Sequence, residues 1–289
     1  MSEPRPNDVR EIDLAPGIIR YRDVGRGAPI VFVHGLLVNG GLWRKVVPRL
    51  SSDFRCIVPD LPLGSHARAM RPDADLGPPG LARLIADFIT ALDLDDVTLV
   101  GNDTGGALCQ LVVTRHPERI GRLVLTPCDA FENFPPPLFS YLLLAARVPP
   151  VLNALLQTMR VGVLARSPIG FGWLAKHRLE DTALQSYIRP CLSDAAVRRD
   201  LVKAIRGLDP HHTLEAASKL RAFTRPTLLA WSPEDRLFPI AHAHRLAEIL
   251  PDARVAEIHD AYTFVSEDQP ERLAELITDF VRQPAALSA

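Results

Sequence analysis

Val97-Thr98-Leu99-Val100-Gly101-Asn102-Asp103-Thr104-Gly105-Gly106 is the stretch on which the fold turns. Its apolar start reads as a short buried strand, and Thr104 to His116 reads as a helix closed by Pro117. Between them lies G-x-D-x-G-G, a tight corner that presents one side chain where a strand becomes a helix. Glycines on both sides let the chain pack there without Cβ clashes. The helix start beneath supplies N–H groups to a developing anion. The presented residue is Asp103. A carboxylate that merely capped the helix would not need paired glycines, so the corner reads as a nucleophile turn.

Working outward, apolar strand-like runs alternate with helical patterns from about residue 28 to 128. Pro29 to Val33 ends in His34-Gly35, Arg55 to Asp60 follows, and Arg122 to Thr126 comes after the elbow helix. Pro79 to Leu94 carries Leu81, Leu84, Ile85, Phe88, Ile89 and Leu92 at helical spacing. Continuous Val/Ile/Leu strands interleaved with helices imply a parallel sheet covered on both faces. The alternation stops at about 132 to 222, where FPPP, RVPP and SPIGFGW punctuate helical segments. It resumes with Pro226 to Trp231, a helix over about 239 to 250, a strand at Arg254 to Ile258 and a last helix from Gln269 to Val281. The expectation is an α/β core at 1–131 and 223–289 with an eight-stranded, mostly parallel sheet. A helical cap at 132–222 would lie over Asp103.

A chain of 289 residues can bury a core of that size without a metal or disulfide staple. Hydrophobic residues at 47% and charged residues at 23% exclude a disordered or collagen-like chain. Lys plus Arg at 33 against Asp plus Glu at 34 gives a net charge of −1, with no electrostatic footprint for nucleic acid or an anionic membrane, so neither is an expected partner. No apolar run reaches the ~18 residues of a membrane span, and the N-terminus lacks a secretory h-region. Cys56, Cys109, Cys128 and Cys191 form no C-x-x-C pair and sit in apolar runs, as buried reduced thiols do. The expected setting is cytoplasmic, with a small lipophilic substrate as partner and no metal or other cofactor. A homodimer is the one assembly to consider.

The elbow, His34-Gly35, Asp60-Leu61-Pro62 and Pro226 to Trp231 ahead of Asp235 together resemble the α/β-hydrolase superfamily, over about residues 15 to 282. An aspartate at the elbow resembles its epoxide hydrolase and haloalkane dehalogenase branch. A carboxylate of ordinary pKa ~3.9 is ionised at pH 7 and attacks carbon with no proton removed. The product is an alkyl-enzyme ester, whose hydrolysis requires a base to activate water. The resemblance implies Asp235, within Trp231 to Pro239, as the triad acid, with Asp129 of Cys128-Asp129-Ala130 in reserve. It also implies a histidine in the loop after the last strand. Aligning Phe264 and Pro270 puts Thr263 there, and a threonine hydroxyl is no base near pH 7. His259, four residues upstream, would reach the site only in a rebuilt loop.

By the same resemblance, the backbone N–H groups of Leu36 and Thr104 form the oxyanion hole and backbone hydrogen bonds hold His34. Leu36 and Thr104 also fill the positions where dehalogenases carry halide-binding Trp or Asn side chains. Epoxide hydrolases protonate the opening oxygen with cap tyrosines, for which Tyr141 and Tyr187 are candidates. Trp43, Phe131, Phe139, Phe171, Trp173 and Phe238 are expected to line an apolar pocket, which suits a lipophilic molecule. His242 and His244 read as lying outside the sheet, His211 and His212 as near the cap's return, and His66, His116 and His177 as exposed. Three functions fit these residues. The first is hydrolysis of an epoxide or carbon–halogen bond through Asp103. The second is a lyase, isomerase or cyclase reaction with Asp103 as proton acceptor or electrostatic stabiliser, and the third is ligand binding by a hydrolase-derived protein. The missing histidine weighs against the first, while a complete elbow, Asp235 and a cap argue against the third; hydrolysis is the leading expectation.

Overall fold

The computed structural model describes residues 9–283. Eight strands, β1 (Val9–Leu14), β2 (Gly17–Val24), β3 (Pro29–Val33), β4 (Arg55–Pro59), β5 (Val97–Asp103), β6 (Ile120–Cys128), β7 (Thr227–Trp231) and β8 (Ala253–Glu257), form one sheet. Its order is β1-β2-β4-β3-β5-β6-β7-β8. The β1·β2 and β2·β4 pairings are antiparallel and the remaining pairings are parallel. Every residue of β5 and β7 is buried, as strands covered on both faces must be. β1 and β2 lack continuous apolar runs. Their Ile12, Ile19 and Tyr21 alternate with charged residues because one face of this edge hairpin meets water.

The connections between β3 and β6 carry α1 (Val47–Leu50), α2 (Pro78–Ala91) and α3 (Thr104–Arg115). Between β6 and β7 come α4 (Ser140–Arg147), α5 (Pro149–Thr158), α6 (Gly162–Ala165), α7 (Asp181–Ser193), α8 (Ala195–Arg206) and α9 (Pro210–Lys219). α10 (Ile240–Ile249), α11 (Val265–Asp268) and α12 (Pro270–Arg282) complete the chain. The helical excursion begins after the fourth parallel strand, as its sequence implies. Its last helix, α9, packs against α3 and is tied to the elbow side by a Thr213 hydroxyl bond to the Phe131 carbonyl (2.5 Å). Residues of α4, α5 and α7 line the cavity that Asp103 enters. All four cysteines are buried and unpaired. No described helix is long and apolar enough to cross a membrane.

Candidate active site

Asp103 ends β5 and precedes α3 with φ 55° and ψ −136°, a left-handed backbone that a non-glycine residue adopts only when its surroundings impose it. Two glycines make the corner possible. A Cβ on Gly105 would meet the Val33 and His34 carbonyl oxygens at 2.5 Å, so α3 could not start this close to β3. A Cβ on Gly35 would overlap the Asp103 carboxylate itself. Gly35 thus clears the space that the Asp103 carboxylate occupies.

The Leu36 amide donates to Asp103 Oδ2 at 3.1 Å, and the Thr104 amide lies beside the carboxylate. Burial pushes the Asp103 pKa up to about 7, with a smaller push from Asp235, while the two amides oppose the rise. His34 lies beneath this turn. Its Nε2 accepts from the Leu61 amide (2.8 Å), which leaves Nδ1–H to donate to the Gly35 carbonyl (2.9 Å). Burial lowers its pKa to about 4, so it is a neutral strut for the turn at neutral pH.

Asp235 Oδ1 accepts from the Leu237 and Phe238 amides, both at 2.7 Å. Burial raises its pKa to about 6 against those amides and the facing Thr263 hydroxyl. Asp235 Oδ2 and Thr263 Oγ1 nevertheless complete no hydrogen bond, and both are buried. Asp129 lies on the elbow's other flank, where Thr104 Oγ1 donates to its Oδ2 at 3.2 Å. Burial and the Asp103 charge hold the Asp129 carboxyl well above the usual carboxylate range. Asp235 is therefore the carboxylate that faces Thr263, and Asp129 is the one beside Asp103.

His259 does not reach the site. Its side chain is 71% exposed, with Nε2 3.4 Å from Glu257, because it directly follows the β8 edge strand and Ile258. Sequence reasoning missed Asn102. Its Nδ2 donates to Thr126 Oγ1 (2.8 Å), the Pro127 carbonyl (3.1 Å) and the Thr263 carbonyl (2.8 Å). That residue ties the elbow, the end of β6 and the Thr263 loop together. Only its place between Gly101 and Asp103 hinted at a role.

A cavity of about 110 Å³ opens above Asp103, somewhat smaller than an engineered ~150 Å³ cavity that takes benzene. It therefore suits a small molecule. Leu36, Thr104, Phe139, Tyr141, Phe171 and Ile188 are among its walls. Tyr141 reaches the cavity, but its hydroxyl donates to the Ile169 carbonyl at 2.9 Å.

Several expected wall residues lie elsewhere. Tyr187 is fully buried outside the cavity, where its hydroxyl donates to Glu267 (3.0 Å) in an ion cluster with Arg44 and Lys45. Trp43 packs on Phe32 in the core, and Trp173 lies under the Arg236 guanidinium. Phe131 and Phe238 are core residues away from the cavity walls. His66 is buried, not exposed, because Asp200 of α8 binds its Nε2 at 3.2 Å, and His116 is half-buried.

Residues 28–270 match the family described as the alpha/beta hydrolase fold. Haloalkane dehalogenase 2 of Mycobacterium tuberculosis (strain ATCC 25618 / H37Rv) is 30% identical over 294 residues, covering 95% of each chain. 2-hydroxymuconate semialdehyde hydrolase of Pseudomonas sp. (strain CF600) is 27% identical, covering 97% of this chain and 96% of its own. The solved structure of the epoxide hydrolase CorEH superposes with a TM-score of 0.77 at 18% identity, covering 94% of this chain and 97% of that one. That likeness concerns the fold. With the observed sheet order, elbow and family match, the chain belongs to the alpha/beta hydrolase family.

Proposed function

We propose that the protein is a hydrolase-family enzyme in which Asp103 attacks an electrophilic carbon of a small lipophilic epoxide or halogenated compound. The observation that carries this reading is the disposition of the Asp103 carboxylate. The Leu36 amide holds it at a strained corner, where it faces a largely apolar cavity. Attack forms a bond from a carboxylate oxygen to carbon, and the carbon–halogen or carbon–oxygen bond breaks with its electron pair on the leaving atom. A halide departs as the anion. An epoxide oxygen must gain a proton, and Tyr141, the phenol at the cavity wall, could supply it only by turning its hydroxyl from the Ile169 carbonyl.

Hydrolysis of the resulting ester is the slow half. Water needs a base, and Thr263 supplies none where the family carries histidine. Incubation with a reactive epoxide or alkyl halide is expected to give one fast turnover and a stable mass adduct on the peptide containing Asp103. Asp103→Asn is expected to abolish the adduct. Rapid multiple turnover by the native protein would refute the slow second half.

One observation favours a second reading. A carboxyl raised to about 7 is also suited to accept a proton from bound substrate at neutral pH, as a lyase or isomerase requires. Absence of an adduct with every electrophile tried, with the fold intact, would move the assignment there.

A further inference from the structure

Eight of the eleven exposed large apolar side chains among the described residues lie between Leu144 and Ile169. Leu144, Val148, Val151 and Leu155 form an outward stripe at spacings of four, three and four residues across α4 and α5. The opposite faces of these helices are already buried through Leu142, Ala145, Ala146, Leu152 and Leu156. A helix apolar on both faces requires cover on its outer face. Val161 and Val163, 54% and 80% exposed, extend the patch through α6.

The charge of this region differs sharply from the chain average. Residues 133–179 contain Arg147, Arg160, Arg166, Lys176 and Arg178 but no Asp or Glu. Arg166, Lys176 and Arg178 pair with carboxylates outside that stretch. Arg147 and Arg160 are exposed and have no carboxylate partner among the described residues. An adjoining groove between α5 and α8 adds Arg198, Lys203 and Arg206. Each of these three donates to backbone carbonyls and pairs with no described carboxylate. Exposed apolar residues and cations without carboxylate partners thus both belong to the α4–α6 segment and the α8 edge that adjoins it.

We propose that α4 to α6, with the neighbouring edge of α8, form a peripheral docking face for an anionic lipid bilayer. The stripe would enter the interface while the arginines meet lipid phosphates. A second copy of the chain is the weaker occupant. An isologous contact would set this basic face against the same basic face of the second copy, with no carboxylate within residues 133–179 to neutralise it. Continuity with the cavity fits the same face. Leu155 and Ile169, 37% and 49% exposed, belong both to the patch and to the cavity walls, so the cavity mouth lies at the docking surface.

Cosedimentation of the full-length protein with vesicles tests this independently of any reaction. Vesicles mixing phosphatidylcholine with phosphatidylglycerol are expected to pellet it, and raised salt to release it. The Arg147→Gln/Arg160→Gln double variant should bind roughly thirtyfold more weakly, the loss expected for two interfacial arginines. Val148→Ser/Val151→Ser should also release the protein with every charge retained. If the serine variant unfolds, as circular dichroism would reveal, the arginine pair and the salt titration of the native chain decide. Failure to pellet, or equal salt-insensitive binding to phosphatidylcholine alone, overturns the proposal. A dimer lost in Val148→Ser/Val151→Ser, without vesicle binding, gives the face to a second copy.

Discussion

At the elbow, the backbone and the Asp103 carboxylate meet each other's needs. The Leu36 amide holds the carboxylate, Gly35 leaves room for it, and neutral His34 braces the turn beneath. The corner at Asp235 and Thr263 is different. The Asp235 loop is anchored by two short amide bonds and Asn102 pins the Thr263 carbonyl, yet the side-chain oxygens facing each other there are unpartnered. In the proposed two-step reaction the first corner would serve attack on carbon and the second attack by water, and the first is the more completely hydrogen-bonded of the two.

The largest way to break this contrast is to rebuild the second corner. Thr263→His places an imidazole between Asp235 and the elbow. Hydrolysis of the Asp103 adduct should then accelerate by ~10²–10⁴-fold, the range for a positioned general base. Its formation should change little. Single-turnover kinetics followed by intact-protein mass spectrometry separates the two steps. Equal acceleration of both would mean that Thr263 also shapes the attack geometry.

Damage to the first corner should do the reverse. Gly35→Ala drives a methyl group into the Asp103 carboxylate and displaces it from the Leu36 amide. Adduct formation should slow by ~10²–10³-fold, the scale of losing an oxyanion-hole donor. The hydrolysis rate of any adduct that forms should remain low. An alkylation rate unchanged from the native protein would show that the Leu36 contact is dispensable.

The pH dependence sharpens the same comparison on a smaller scale. Attack requires ionised Asp103, and burial raises its pKa to about 7. The alkylation rate should fall tenfold per pH unit well below 7 and level off above it. A flat profile from pH 5 to 8, measured with an electrophile that does not itself titrate, would place the Asp103 pKa in the ordinary carboxylate range.

The elbow was legible because its information is local: ten consecutive residues encode strand, corner and helix. Asp235 was legible for the same reason, within Trp231 to Pro239. Asn102 was not, because its effect passes through a carbonyl 161 residues away. Tyr187 was misread because its partner, Glu267, is 80 residues distant, and a short local likeness carries no account of that contact. His66 was misread through Asp200, which lies 134 residues further on. Net charge concealed the basic, acid-free stretch at 133–179 because the rest of the chain balances it. Burial partners and local charge asymmetry are properties of the folded surface, which a chain average does not carry.

The smallest expected effect lies in stability, and its sign follows from the incomplete corner. The Asp235 pKa rises from 3.8 to about 6 in the folded protein. A raised carboxyl pKa contributes stability that is fully present below the unfolded value and is lost as pH rises through the folded one. Above about pH 6, therefore, the fold holds a buried charge at a cost on the order of 2–3 kcal/mol, from 1.36 kcal/mol per pKa unit. Asp235→Asn removes the ionisation and keeps an oxygen to accept from the Leu237 and Phe238 amides. Its amide NH₂ can also donate to Thr263 Oγ1, which has no partner in the native side-chain arrangement. The variant should be more stable than the native protein by roughly 1–3 kcal/mol at pH 8, with the gain shrinking towards pH 4, as read from urea unfolding at both pH values. A variant less stable at pH 8 would mean that the Asp235 charge meets a compensating group, and the two corners would then be closer in completeness than their hydrogen bonds indicate.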